Sequence, residues 1–352
     1  MTPDATPPRR IVSLLSSATE ILCALGLGDR LVAVSHECDY APQVATRRRV
    51  TKSNINDAAS SRQIDDQVRQ VSRQGEPLYR IDEQALAACA PDLIVTQQQC
   101  DVCAVKYEDV VAAVERMDTD QPVPVVALNP TSLDAVLDDI LAVGRAAGRA
   151  VEADDLVESL RRRITNVAVR TAALPAADRP RTVIIEWIDP LMLAANWVPQ
   201  MLEIAGGTCP LVTGGKHSTY TAWQEVVEFD PQCILVSPCG FDLARAVREA
   251  QSLPDVAGWS GLNAVRQGRV FALDGNAYLN RSGPRLVDTL EIIAHLLHPD
   301  LFDIPQSIAN PDDAWCVLES VRYGNEWQAM VGQRYFGSLA LACKEPTHER
   351  SY

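Results

Sequence analysis

Two patterns of apolar residues alternate along the chain. Short runs rich in Ile, Val and Leu over 11–15, 31–35, 93–96 and 123–128 are separated by segments of helical period over 17–25, 83–88, 105–117 and 132–147. Runs of that length read as buried strands, and strands alternating with amphipathic helices predict a parallel sheet covered on both faces. Ser17 and Glu20, three positions apart at the start of the first helical segment, predict a capping box. The stretch 54–74 is polar, rich in Ser, Asp, Gln and Arg, and reads as an insertion or loop with weak helical character.

A longer helix follows. Leu156, Leu160, Ile164, Val167, Thr171 and Leu174 step by four, four, three, four and three, the helical period. Glu152, Asp154, Asp155 and Glu158 precede Arg161, Arg162, Arg163 and Arg170, the order that a helix dipole favours. Over 151–174 such a helix would run roughly 35 Å, the width of a lobe. Pro175 and Pro180 stop it, and a new strand–helix alternation starts at 182–187.

The second alternation repeats the first. Cys89-Ala-Pro-Asp-Leu-Ile-Val95 is echoed by Phe229-Asp-Pro-Gln-Cys-Ile-Leu-Val236, and Ile21-Leu-Cys-Ala-Leu-Gly26 by Met201-Leu-Glu-Ile-Ala-Gly206. The expected organisation is an α/β lobe over 9–150, a connecting helix over 151–174 and a second α/β lobe over 175–300. An extension over 301–352 carries Trp315, Cys316, Trp327, Tyr335 and Phe336 and reads as an appended hairpin or helix.

Composition narrows the function. With 47% apolar and 22% charged residues in 352, the chain is globular, and 32 basic against 46 acidic residues give a net charge of -14 that disfavours nucleic acid. Mean hydropathy is -0.05 and no window of about 20 apolar residues occurs, so no membrane insertion is expected. The residues from Met1 to Arg10 lack the apolar stretch and cleavage pattern of an export signal. Ten dispersed cysteines in a chain of this size fit a reducing compartment, so a cytoplasmic location is expected.

Ligands of open parallel sheets collect beyond the carboxyl ends of the strands. Two facing lobes would therefore enclose a cleft lined by loops at 16–17, 36–40, 97–100, 129–130, 187–190, 237–240 and 274–278. Aromatic, amide and thiol groups dominate those loops, the makeup of a moderately polar small-molecule pocket. No phosphate-binding loop, nucleophile-elbow serine or His-Glu-x-x-His helix occurs.

Arg10-Ile-Val-Ser-Leu-Leu-Ser-Ser-Ala-Thr-Glu-Ile-Leu-Cys-Ala-Leu-Gly26, Ala90-Pro-Asp-Leu-Ile-Val95 and Gly268-Arg-Val-Phe-Ala-Leu-Asp-Gly-Asn-Ala-Tyr278, with Arg281-Ser-Gly-Pro-Arg285, resemble the cobalamin and iron-chelate substrate-binding proteins of ABC importers. The resemblance spans about 9–299. It implies two Rossmann-like lobes joined by one rigid helix and non-catalytic binding of a corrinoid (cobalamin), haem or siderophore chelate. Such proteins also carry, in each lobe, a glutamate that docks on importer arginines. The matching positions here are Gln84 and Gln224, with Glu83 and Glu225 adjacent. Importer docking is therefore not expected, and delivery, storage or sensing in the cytosol is. A metal- or cysteine-dependent enzyme in the same cleft and an importer component are the alternatives. The oligomeric state is left open.

The ligand-binding candidates are Ser16, Ser17, Tyr40, Arg80 and Gln97 from the first lobe, and Trp187, Ser237, Tyr278 and Arg281 from the second. Tyr278 and Trp187 offer faces for a planar macrocycle, and Arg80 a cation for an acidic or amide group. A separate metal site is also expected. His36 and Cys38, with Cys100 and Cys103, follow two strands that should flank the first in the order 2-1-3, so an imidazole and three thiols would meet at one edge of the cleft, a set suited to zinc. A redox pair at Cys100 and Cys103 is the rival reading.

Overall fold

The computed structural model describes residues 6–98, 104–119 and 121–318, with strand pairs at 322–323 and 326–327. Its first sheet is built from β1 (Ile11–Ser13), β2 (Leu31–Val34), β3 (Arg48–Arg49), β6 (Leu93–Gln97) and β7 (Val125–Leu128), in the order β3-β2-β1-β6-β7. Every pairing in it is parallel, and β2 and β6 flank β1 as expected. A separate antiparallel pair, β4 (Thr51–Ser53) and β5 (Tyr79–Ile81), stands outside the sheet. Helices α1 (Ser16–Ala24), α2 (Ser61–Arg73), α3 (Glu83–Ala88), α4 (Tyr107–Glu115) and α5 (Leu133–Ala146) complete this lobe.

The second sheet runs β12-β11-β10-β8-β9, from β8 (Thr182–Trp187), β9 (Met192–Leu193), β10 (Cys233–Val236), β11 (Val270–Leu273) and β12 (Trp315–Val317). Its three central strands are parallel, and β9 and β12 close the two sides antiparallel. Helices α7 (Val198–Ile204), α8 (Trp223–Phe229), α9 (Leu243–Ala250), α10 (Asn263–Arg266) and α11 (Leu286–Leu297) pack around it. The described part of the extension thus covers a sheet edge that would otherwise present unpaired backbone groups.

Between the sheets in sequence lies α6 (Ala150–Ala172). Ala153, Val157 and Leu160 belong to the first lobe's core and Val167 to the second's, while Ile164 packs against both. One apolar stripe thereby serves two cores. On the same helix Arg163 donates to Glu291 and Asp288 of α11, fixing the connection laterally.

The sequence repeat is a repeat of structure. The residues before Pro91 and Pro231, Ala90 and Asp230, both take left-handed conformations, with φ of 41° and 48°. In the first lobe the Arg10 guanidinium donates to the carbonyls of Cys89 and Ala90, and in the second Arg181 donates to those of Phe229 and Asp230. Each arginine sits at the start of a central strand and satisfies carbonyls left open where a helix ends.

Two local expectations are corrected. No side chain caps α1, whose N-cap is Leu15. Glu20 is instead 2% exposed and accepts from Arg285 at 2.9 and 2.5 Å and from Arg281 at 3.2 Å. The stretch 54–74 is also no weak helix. Over Ser61–Arg73 it forms 13 residues of α-helix, begun by a capping box in which Ser60 Oγ accepts from the Gln63 N–H and Gln63 Oε1 from the Ser60 N–H.

A buried carboxylate shared by two arginines is stable only while all three are present, since removing one leaves uncompensated charge out of water. Glu20→Ala is expected to lower the unfolding free energy by about 3–5 kcal/mol in urea titrations. A loss under about 1 kcal/mol would show that the cluster is hydrated and of little consequence.

Candidate functional site

The loops at the carboxyl ends of the two sheets meet. Asn276, just past β11, donates to Asp39, just past β2, at 2.7 Å. Arg281 lies 2.7 Å from Asp39 and donates to Asn276 at 2.6 Å, and Ser282 Oγ donates to Ser17 Oγ at 3.3 Å. Close approach of backbones shapes the second lobe's side of this contact. A Cβ at Gly275 would stand 2.2 Å from the Pro238 carbonyl oxygen, so only glycine fits between the loops after β10 and β11.

A second set of contacts is made by α2. Ser61 donates through its hydroxyl and its N–H to Glu249 of α9, and Arg62 pairs with Asp189 after β8 at 3.1 Å. Asp65 accepts from the Tyr220 hydroxyl at 2.6 Å and from Arg69 at 2.7 Å, and the Arg69 guanidinium lies 5.1 Å from the Tyr220 ring. Ahead of the helix, the Ala59 carbonyl accepts from Arg245, whose guanidinium stacks on Phe241 at 3.5 Å. Ser61, Asp65 and Arg69 are four residues apart and form one polar stripe. The helix is a strap from the first lobe to the second.

Around these loops sit several enclosed polar groups. Burial pushes the Glu37 carboxyl up to about 7, against the pull of Arg281 and with the push of Asp57 and Asp39. Burial also raises Glu186, at the end of β8, although Ser218 donates to it. Ser237 is fully buried, and its hydroxyl oxygen has no hydrogen-bond partner among the described residues. His36 Nδ1 lies 2.7 Å from Thr51 Oγ1, while its Nε2 is buried without a partner among the described residues.

The candidates divide accordingly. Ser17, Tyr40, Tyr278 and Arg281 come together: Arg285 stacks on Tyr40 at 3.8 Å and lies 5.6 Å from the Tyr278 ring. Ser16 is buried and donates to the Glu37 carbonyl. Gln97 is buried at the end of β6, and Trp187 meets Phe241 edge-on at 5.3 Å. Arg80 has a side chain 61% exposed that pairs with Glu76 at 3.8 Å, and no contact shown ties it to the meeting loops. Arg281 is engaged by Glu20, Asp39 and Asn276, so it braces the cleft and does not offer a free cation.

The zinc expectation finds no support. Cys38 is 1% exposed, shares a hydrogen bond with Thr19 at 3.0 Å and packs in the first lobe's core, and burial pushes its thiol up to about 11. Cys100 and Cys103 lie outside the described residues. Among the described residues no three His, Cys, Asp or Glu groups converge on a common point. Sequence reasoning did not single out Glu37, Glu186, Tyr220 or Asn276. Asn276 and Glu37 stood in loops assigned to the cleft, whereas Tyr220 stood in a stretch without periodicity and carried no local signal.

A family model described as "Periplasmic binding protein" matches residues 11–277. The uncharacterized ABC transporter substrate-binding lipoprotein YvrC of Bacillus subtilis is 25% identical over 300 residues, covering 84% of this chain and 82% of its own. The vitamin B12-binding protein of Vibrio cholerae is 23% identical over 294 residues, 83% of this chain and 90% of its own. A crystal structure of the periplasmic heme-binding protein of Pseudomonas aeruginosa superposes with a TM-score of 0.62 at 19% identity, covering 84% of this chain and 94% of that one. The last likeness is one of fold. With the match running through both lobes, the chain belongs to the periplasmic binding protein family.

Proposed function

We propose that the protein binds a corrinoid or a related metal chelate between its lobes, without chemistry of its own, in cytosolic delivery, storage or sensing. The observation that carries this reading is the meeting of the carboxyl ends of two parallel sheets at Asp39, Asn276 and Arg281, rimmed by Tyr40, Tyr278 and Trp187 and bridged by α2. Aromatic faces suit a large flat ligand, and enclosed amide and hydroxyl groups suit its polar edge. The Vibrio relative is named for vitamin B12 and the Pseudomonas structure for heme, in keeping with a metal chelate. Free thiols at Cys23, Cys38, Cys89, Cys209 and Cys233 fit a reducing compartment. A nucleophilic role for Cys38 is disfavoured by its raised pKa.

An importer component is the second reading, favoured by the name of the Bacillus relative. Gln84 and Gln224 stand exposed on α3 and α8 and offer no charge for docking. The neighbouring carboxylates are engaged, Glu83 by Arg116 at 2.7 Å and Glu225 by the Ala222 N–H at 3.0 Å. Binding to membrane vesicles that carry a corrinoid importer separates the two readings: tight association of the unmodified protein would establish the importer role.

Gel filtration after incubation with hydroxocobalamin, hemin and a ferric siderophore is expected to give a co-eluting chromophore with at least one. Elution free of all three would refute the chelate reading. Entry of a bulky ligand requires the strap to release, and Tyr220→Phe removes one of its bonds to a carboxylate. Stopped-flow association should then accelerate about threefold to tenfold, as expected for losing one partly buried charge-assisted bond; a slower or unchanged rate would show that ligand enters elsewhere.

Glu37 adds a pH dependence. An acid whose pKa is raised on folding holds its proton more tightly in the native state, so its contribution is most favourable below about pH 4.5 and is lost as pH climbs through about 7. Between pH 5 and 8 the wild type should lose about 2 kcal/mol more stability than Glu37→Gln in urea titrations. Parallel profiles would show that Glu37 is solvated.

A further inference from the structure

The arginines at the meeting loops are committed to the protein itself, and two carboxyl groups there are not. Arg285 donates twice to Glu20 and lies over Tyr40. Arg281 is divided among Glu20, Asp39 and Asn276. Arg245 donates to the Ala59 carbonyl while stacked on Phe241, and Arg62 pairs with Asp189. Arg49, on the exposed edge strand β3, donates to the Ser35 carbonyl at 3.3 Å.

Glu37 is placed otherwise. It follows β2 by three residues, and its backbone is tied on both sides, the N–H donating to Ser35 Oγ at 3.4 Å and the carbonyl accepting from Ser16 at 3.1 Å. Its carboxyl makes no hydrogen bond or ion pair with another described residue, and although surrounded by protein it keeps part of its surface accessible. The charges acting on it are Arg281, already shared, and the anions Asp57 and Asp39. Asp57 is exposed and lies on the segment leading into α2, two residues before the carbonyl that holds Arg245. Its charge is felt by Glu37 and His36 of the first lobe and by Arg245 of the second, which puts it at the seam between the lobes.

A carboxyl with an open side and no counter-ion of its own accepts N–H donors and attracts cations. Whether ionised or protonated, it keeps an oxygen able to accept. A carboxylate brought beside Glu37, Asp57 and Asp39 would meet like charge, with no guanidinium released to answer it. We propose that Glu37 and Asp57 select the ligand by the charge of its edge, accepting from a chelate rimmed by amides or carrying a cation and rejecting one rimmed by carboxylates. The inference rests on the chelate-binding reading and narrows its substrate class. Among macrocycles it favours a corrinoid, whose edge carries amides, over a porphyrin with free propionates; among siderophores it favours a cationic complex over an anionic one.

Matched pairs tested on the full chain separate charge from chelate. Equilibrium dialysis at neutral pH compares dicyanocobinamide with dicyanocobyrinic acid, which has the same ring, metal and axial groups but carboxylates in place of amides. It also compares hemin dimethyl ester with hemin, and cationic ferrioxamine B with trianionic ferric enterobactin. In each pair that binds, the member without carboxylates or net negative charge is expected to bind at least about a hundredfold tighter, since like charges set together at an interface are strongly disfavoured. The double variant Glu37→Gln, Asp57→Asn keeps an accepting oxygen at both positions. It should cut the ratio at least about tenfold while changing the affinity for dicyanocobinamide less than about threefold. Asp57→Asn alone, at an exposed position, should move the ratio the same way, and added salt should reduce it in the wild type. An anionic member bound as tightly as its counterpart, or a ratio unmoved by these variants, would overturn the selection while leaving the chelate reading intact. Binding of no compound from any pair would overturn both.

Discussion

A carboxylate removed from water has to be answered by charge, and Glu20 is answered from the other end of the chain. It sits on the first helix, yet both of its partners, Arg281 and Arg285, follow the last strand of the second lobe's parallel core. Desolvation makes the arrangement all-or-none: any separation of the lobes at this point strands a buried charge. Arg281 then also holds Asp39, and Arg285 lies over Tyr40 and near Tyr278. The residues that rim the cleft are thus positioned by an ion cluster at its base, which explains why Arg281 has no charge left over for a ligand.

Periodicity made the fold legible. Buried strands such as Cys233–Val236, and Leu93–Gln97 over its first three residues, are runs without a charged position, and the stripe on α6 is continuous because one helix feeds two cores. The repeat was legible for a different reason. A helix that ends directly before a parallel strand needs a reversal of backbone direction, and Ala90 and Asp230 provide it with the same left-handed conformation ahead of the same proline. Arg10 and Arg181 take the same part in both lobes, though only the repeated segment, and not its arginine, was apparent from the chain alone.

What escaped the sequence was set by distant partners. Glu20 has the spacing of a capping residue, and nothing near it in the chain reveals that arginines some 260 positions away claim it. The strength of α2 was understated because apolar periodicity is a signal of burial in a core, and this helix buries Ser61 and Asp65 instead. Its local start signal, Ser60 with Gln63, was nonetheless in the chain. Arg80, on the antiparallel pair outside the sheet, has Glu76 as its ion partner, a contact that its position ahead of a helix did not signal. Cys38 follows a central strand, where the fold demands small buried groups, and it packs in the first lobe's core, which its spacing to His36 did not reveal.

The polarity of the strap is itself informative. An apolar helix face docked on the second lobe would bury the same groups irreversibly on the time scale of binding, since exposing it again forfeits the full hydrophobic term. Contacts such as Ser61 with Glu249, Arg62 with Asp189 and Tyr220 with Asp65 exchange for water at small net loss, because each partner is hydrated when released. The base of the cleft is thus locked by buried charge while the strap is held by replaceable bonds. That asymmetry fits a protein that keeps its lobes in register and opens along one side only, and it places the yielding side next to His36 and Glu37.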